Sequence, residues 1–452
     1  LDSYSHICEA ILVANALARV VKNSLPSHES DTKDNAMKLH TTPNGKTVRI
    51  FARDLDANAV EQIERIAELP SIVGDLALMA DAHAGKGVPI GTVFGTENLV
   101  VPDVISGDIG CGMILMKTTL RADVVTPSVA QKILARVNDA VCKLYNQNES
   151  TAMPSFTDAI EPIVAQHAQR ASRQLGTLGG GNHFCELQKD SAGDLWVMVH
   201  SGSRGLGQAV NGHYRALAEQ LCARLGATYP KGFPFLPVDS DEGRGYLAEQ
   251  EFCLRYAEAN RELIRAACER AIGDVLGAYE VSMVVQTHHN FLSKERWDDR
   301  DVYVHRKGAV AAPKGAYVTI PGSMESKSFL CRGTGCSLSH ASVSHGAGRK
   351  KSRGQMMPKV YVKDESGEVF RDKGGYARVD KDATERAKRE ATDVMLREMT
   401  EKGITLVTHD PAGVLDERGH GYKDVDAVIA AQHELLEVVT ELVPIGVVKA
   451  PS

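Results

Sequence analysis

Between a β-branched run, Leu99-Val100-Val101-Pro102-Asp103-Val104-Ile105, and an apolar run, Ile114-Leu115-Met116, the chain carries Ser106-Gly107-Asp108-Ile109-Gly110-Cys111-Gly112-Met113. No other stretch limits the fold as much. A carboxylate and a thiol stand three positions apart, with glycine before Asp108 and on each side of Cys111. A carboxylate is a hard ligand and a thiolate a soft one, so the pair suits a borderline divalent ion such as manganese or zinc. Glycine lets the backbone adopt positive φ and approach a ligand closely. Taken alone, the stretch equally suits a strand–turn–strand with an inert buried thiol. The rest of the chain decides for the metal.

The same event recurs along the sequence: a strand ends in a candidate ligand or nucleophile beside glycine. Ala77–Ala80 runs into Asp81, His83 and Lys86. Leu175-Gly-Thr-Leu-Gly-Gly-Gly leads to Asn182-His183-Phe184-Cys185-Glu186. Leu195–Val199 delivers His200 into Ser201-Gly-Ser-Arg204-Gly-Leu-Gly207, small residues at a helix start that favour anions. Glu280–Thr287 ends in His288-His289-Asn290, and Ser344-His345-Gly346-Ala347-Gly348-Arg349 is followed by Lys350, Lys351 and Arg353. Five loops of this kind (Asp108/Cys111, His183, His200, His289, His345), all but that of His289 glycine-flanked, make coincidence a poor explanation. One Asp, one Cys and three His would hold two divalent ions with the thiolate as bridge, a set suited to in-line phosphoryl chemistry. His345 differs because four cations follow it, which fits an imidazole nucleophile attacking a triphosphate.

Helical spacing predicts helices over 57–69, 130–144, 159–174, 204–225, 246–275, 383–400 and 425–442, with strands between them. No repeat of fixed period and no Pro/Gly linker is evident, so the reading is one α+β domain of mixed and antiparallel sheets flanked by helices, spanning 37–452. The first 36 residues are expected to be an added or disordered N-terminal extension, because Met37 looks like a more natural start. The 452 residues carry a net charge of −6, which argues against indiscriminate nucleic-acid coating but leaves room for a local basic groove. Nine cysteines without a CxxC pair read as reduced thiols, and no stretch is apolar enough to span a membrane. A cytoplasmic enzyme is the expectation. There is no GxxxxGK[ST] loop and no Lys-x-Asp-Gly carrier sequence.

Asp108-Ile-Gly-Cys111-Gly, Leu175-Gly-Thr-Leu-Gly-Gly-Gly-Asn182-His183-Phe, His200-Ser-Gly-Ser-Arg204-Gly, His289-Asn290, Pro321-Gly-Ser-Met324 and Ser344-His345-Gly-Ala-Gly-Arg349 together resemble the signature of the RtcB family of RNA ligases. The resemblance runs in order from about residue 77 to Lys449. It implies a ligase that joins an RNA end bearing a 3′-phosphate or 2′,3′-cyclic phosphate to a 5′-hydroxyl end, in RNA repair or tRNA splicing, using GTP and manganese. It assigns Asp108, Cys111 and His183 to one Mn²⁺, and Cys111, His200 and His289 to a second. It makes His345 the residue that carries GMP covalently. Guanylate contacts fall on Asn182, His183, Phe184, Glu186, His289, Asn290, Pro321, Gly322, Ser323, Met324, Ser328, Gly346, Ala347, Gly348, Tyr422 and Lys449. RNA contacts are expected at Lys86, Arg204, Arg306, Lys307, Arg349, Lys350 and Arg353, and the resemblance leaves room for an activating protein factor. Gly333–Ser344 and Asp416–Tyr422 depart from the family's usual lead-in segments. The competing readings are a two-metal phosphoesterase that acts on RNA ends without a nucleotide adduct, and a non-catalytic RNA-binding protein.

Overall fold

A computed structural model describes residues 37–142, 162–364, 366–372 and 374–450. The chain divides into two units, Leu1–Ala36 and Met37–Ser452. The extension expected over 1–36 lies outside the described residues.

Short β-branched runs pair into two large sheets. The first has six strands in the order Lys38–Thr41, Thr47–Ile50, Ile72–His83, Ile90–Thr96, Arg300–Lys307 and Asn290–Trp297. The second runs Val281–His288, Gly112–Arg121, Asp194–Ser201, Phe184–Asp190, Leu436–Val448, Ser328–Gly333 and Tyr317–Ile320, with Thr405–Val407 joined parallel to Leu436–Val448. Most pairings are antiparallel, and helices flank the sheets, so the expected mixed α+β architecture is the one observed.

The two sheets meet at His289. Val281–His288 forms the edge of one sheet and Asn290–Trp297 the edge of the other, which leaves this single residue between them. The His289 amide donates to the Cys111 carbonyl at 2.8 Å, and the Gly110 amide donates to the Asn290 carbonyl at 2.8 Å. The thiol loop is therefore stitched to the seam. Gly112 is required here, since a Cβ at that position would collide with the Thr287 carbonyl.

The helix Asp241–Leu276 crosses behind this seam. Ser240 caps its start by accepting from the Gly243 amide at 2.9 Å, and Gly277 ends it. Its buried face is mostly apolar but carries Asn260 and Arg261, both fully buried. Burying a guanidinium is costly unless every donor is used. Arg261 donates to the carbonyls of Gly110 (2.7 Å) and Ser201 (3.1 Å) and to Gln286 Oε1 (2.9 Å), and contacts His288 Nδ1 at 3.2 Å. Asn260 accepts from the Gly176 amide at 2.8 Å and donates to Thr177 O, Ser201 Oγ and Gly202 O. One helix thus holds the loops that precede or follow Cys111, His183 and His200.

Three expectations need correction. Leu99–Ile105 is not continuous strand: only Leu99–Val100 pairs, and Pro102 opens a helical turn over Pro102–Ile105, where its missing N–H is no loss. The helix expected over 425–442 covers only Val425–Ala430, and Leu436–Val448 is a strand. Its β-branched Val438, Val439 and Val443 suit the gap between Phe184–Asp190 and Ser328–Gly333, so pairing overrode the helical spacing. Finally, the chain does contain a short repeat, an eight-residue spacing that recurs over 360–380 with Asp364, Asp372 and Asp380, described below. The part of the 130–144 and 159–174 helices that falls within 143–161 lies outside the described residues; Pro127–Val141 and Pro162–Gln174 are helical.

Candidate active site

Two imidazoles converge on one thiol, and a third meets one of them. His183 Nε2 lies 3.4 Å and His200 Nε2 3.1 Å from Cys111 Sγ. His183 Nε2 is also 3.3 Å from Asp108 Oδ2, and His200 Nε2 is 3.3 Å from His289 Nε2. The opposite ring nitrogens fix the protonation. His183 Nδ1 is 2.9 Å from the Leu178 carbonyl and His200 Nδ1 is 3.1 Å from the Asn182 carbonyl. A carbonyl only accepts, so each Nδ1 carries the proton and each Nε2 turns its lone pair inward.

Burial, with neighbouring imidazoles adding to it, pushes the pKa values of His200 and His289 well below the ordinary range, so both are neutral donors. Burial alone would raise Asp108, but its polar contacts with His183 and the Cys111 thiol outweigh it and hold the carboxyl below its usual value. Burial and the adjacent Asp108 charge push the Cys111 thiol well up. Lone pairs aimed at one another beside a carboxylate and a thiol are strained without a positive charge among them, and a bound cation resolves this by deprotonating the thiol. Cys111, His183 and His200 place their donor atoms within 4.8 Å of one another. The donor set fits divalent metal.

His345 stands apart from that set. It ends the strand Ser342–Ser344, and its ring packs edge-on against His289 with centroids 4.8 Å apart. Its Nδ1 meets a carboxylate instead of a carbonyl, at 2.6 Å from Asp81 Oδ2. Asp81 is fully buried on the strand Ile72–His83. The carboxylate fixes the Nδ1–H tautomer and leaves Nε2 free as a nucleophile. Around it, the Ser344 amide donates to buried Gln432 (3.0 Å), the Ala347 amide to Pro321 O (2.9 Å) and the Lys423 amide to Gly348 O (2.9 Å). The His345 loop is therefore fastened to the Pro321–Ser328 loop, where Gly322 N–H and Gln188 Nε2 both donate to Ser328 Oγ at 3.2 Å.

One pocket unites these parts. Asp108, Cys111, His200 and His289 line one side and His345 lines it with them, while His183 sits just behind the thiol. Every residue expected to touch guanylate lines the same pocket except His183. Its far wall is a buried ionic knot. Glu417 accepts from Tyr422 Oη (2.5 Å) and Arg349 (3.1 Å), and pairs with Arg353 (3.2 Å) and Lys449 (3.3 Å). Burial works against the Glu417 carboxylate, but the charges of Lys449 and Arg353 hold it at about 2. Glu186, facing the same pocket, lacks such company, and burial raises it to about 8.

The expected RNA contacts divide. Lys307, Arg349 and Arg353 line the pocket, and Lys350 lines an adjoining surface cleft. Arg306 does not qualify: it is buried, paired with Glu295 at 2.7 Å and bonded to Ser342 and Ser293. Arg204 is turned inward beneath the triple-glycine loop, donating to Thr177 Oγ1 at 3.3 Å, and Gly179 has no side chain because that guanidinium occupies the space. Lys86 lines a different cleft, with Arg65, Asp103 and Arg215. Sequence reading assigned no role to Asn260, Arg261, Glu417 or Gln432, and took Asp81 only as a ligand-type side chain at a strand end. Asp81 offered a signal, a carboxylate closing an apolar strand beside His83, but its partner lies 264 positions away.

A family model described as "tRNA-splicing ligase RtcB" matches residues 62–160, 145–386 and 378–450. The chain belongs to the RtcB family. It is similar to the RNA-splicing ligase RtcB of Escherichia coli K12, at 30% identity over 91% of this chain and 99% of that protein. The RNA-splicing ligase RtcB2 of Escherichia coli ATCC 25922 is 31% identical over 75% of this chain and 86% of its own length. The tRNA-splicing ligase RtcB of Thermococcus kodakarensis is 28% identical over 86% of this chain and 90% of its own. The family match spans the loops of Asp108/Cys111, His183, His200, His289 and His345 and the Tyr422–Lys449 wall of the pocket. Among the described residues no helix is long and apolar enough to cross a membrane.

Proposed function

We propose that this chain is an RNA ligase of the RtcB type, with the ligase domain over 37–452, acting on RNA ends that carry a 3′-phosphate or 2′,3′-cyclic phosphate and a 5′-hydroxyl. The observation that carries the reading is His345, locked by Asp81 through Nδ1 on the wall of the pocket that also holds the Cys111 cluster. His345 Nε2 attacks the α-phosphorus of GTP; the N–P bond forms, the bond to the β-phosphate oxygen breaks, and pyrophosphate leaves. Asp81 stabilises the charge that develops on the imidazole. An oxygen of the RNA 3′-phosphate, which at a 2′,3′-cyclic end is first formed by water adding to phosphorus as the 2′-oxygen leaves, then takes the guanylate from Nε2 and restores the ring. Last, the 5′-hydroxyl attacks the activated RNA phosphate and expels GMP.

Asp108, Cys111 and His183, with Cys111, His200 and His289, would hold two divalent ions, for which we propose manganese. Bound there, they supply Lewis-acid neutralisation of phosphate charge. Arg349, Arg353, Lys307 and Lys449 add fixed positive charge around the same space, and the Pro321–Ser328 loop with Asn182, Asn290 and Tyr422 frames the nucleotide. A cytoplasmic setting suits a thiol that must stay reduced.

Incubation with α-labelled GTP and Mn²⁺ tests the reading. We expect an acid-labile, alkali-stable label on the protein that disappears in His345→Ala. Ligation or RNA-end hydrolysis without any labelled protein would overturn it in favour of the phosphoesterase.

A further inference from the structure

Between the helix Arg353–Met356 and the helix Lys381–Glu401 the chain makes an excursion that the active site does not use. Aligned by eights, Val360–Gly367, Glu368–Gly375 and Tyr376 onward repeat one pattern, with Asp364, Asp372 and Asp380 at the fifth position. The structure turns that repeat into a closed ring. Val362 N–H donates to Arg378 O (2.9 Å), Phe370 N–H to Val362 O (2.8 Å) and Arg378 N–H to Phe370 O (2.9 Å). A second cycle runs from the amides of Asp364, Asp372 and Asp380 to the carbonyls of Glu368, Tyr376 and Val360. The ring is anchored where Val360 N–H donates to buried Thr384 Oγ1 at 2.9 Å.

Three carboxylates of the pattern are oriented by local hydrogen bonds and keep their charge, and Glu368 is exposed beside them. Asp364 Oδ1 accepts from the Ser366 and Glu368 amides, Asp372 Oδ1 from the Gly374 and Tyr376 amides, and Asp380 caps the following helix through Ala383 N–H. The cations differ. Among the described residues Lys363, Arg371 and Arg378 have no carboxylate partner, and Arg371 donates only to the Gly375 carbonyl within its own turn. Two aromatic rings stand among them, Tyr376 at 76% and Phe370 at 44% exposure. A rigid backbone that displays bare rings between unpaired cations matches the face of single-stranded nucleic acid, bases for stacking and phosphates for charge. Position agrees: Arg353 lines the active-site pocket, and the six residues from it to Lys359 span at most about 21 Å.

We propose that the ring Val360–Asp380 is a platform for single-stranded RNA, stacking bases on Phe370 and Tyr376 while Lys363, Arg371 and Arg378 take phosphates of the strand that enters the pocket. The inference rests on the RNA ligase reading above for its ligand, and the test separates the two. Anisotropy of a fluorescent single-stranded RNA with a 3′-phosphate is measured across a salt series, alongside labelling by α-labelled GTP. For Phe370→Ala/Tyr376→Ala we expect RNA affinity to fall about tenfold or more. For Lys363→Gln/Arg371→Gln/Arg378→Gln the log–log salt slope should drop by about 2. Both variants should label at the unaltered rate. Tyr376→Ala alone, which removes a ring that packs on little, keeps the test open if a multiple variant melts early. Unchanged RNA affinity and slope with normal labelling would overturn the platform alone, as would a loss of self-association without any change in RNA affinity. An unaltered chain that binds RNA but never labels would instead sink the ligase reading and leave the platform standing.

Discussion

His183 and His200 face backbone carbonyls through Nδ1, whereas His345 faces the Asp81 carboxylate; His200 and His345 line one pocket, with His183 just behind its thiol. A carbonyl orients an imidazole and leaves it neutral, which is what a metal donor needs. A carboxylate orients the ring and also stabilises positive charge on it, which is what a ring forming an N–P bond needs. On the proposed reading, residue type alone does not divide ligands from nucleophile: the partner on the far nitrogen separates His183 and His200 from His345, while His289 Nδ1 has no partner among the described residues.

The most damaging test removes the shared thiol. Cys111→Ala should abolish metal retention, read as metal content after desalting, and reduce GTP-dependent labelling to background, because no neighbouring group replaces a bridging donor. Full metal content in that variant would break the division at its root. Asp81→Asn should keep the metal content and slow labelling by about 10³-fold, since the amide can favour the wrong tautomer and carries no charge. A matching loss of metal would show that Asp81 serves the cluster and not His345.

The mildest effect compares two carboxylates on the nucleotide side. Glu417 is held at about 2 by its cations, while burial raises Glu186 to about 8 from an ordinary 4.5. Folding therefore keeps a proton on Glu186 that the unfolded chain releases, and stability contributed by this site declines as pH rises from about 4.5 to about 8. Glu186→Gln should flatten that part of the melting temperature against pH in metal- and nucleotide-free protein, by a few degrees at most. An unchanged slope would mean that Lys449 neutralises Glu186 more fully than its buried setting suggests.

Much of the site could be read from the chain because its ligands sit where strands stop and glycines begin. His200, His289 and His345 stand at strand ends, whereas Asp108 follows a helical turn and Cys111 precedes the strand Gly112–Arg121, and all five line the pocket. The cations followed no such rule. Arg306 and Lys307 are adjacent in sequence, yet strand alternation buries the first against Glu295 and turns the second to Ser106 at the pocket wall. The helix expected over 425–442 failed for a related reason, since the same valines satisfy a helical stripe or a strand between two neighbours.

By itself the sequence determined which groups are available and that they end strands, since glycine placement and β-branching are local properties of the chain. It also carried the family signature. Only the tertiary structure decided which nitrogen of each imidazole is free, that Asp81 serves His345, and that Asn260 and Arg261 lock three loops from one helix. Those are contacts between residues far apart in the chain, and hydrogen-bond partners of that kind are set by packing, not by neighbours in sequence.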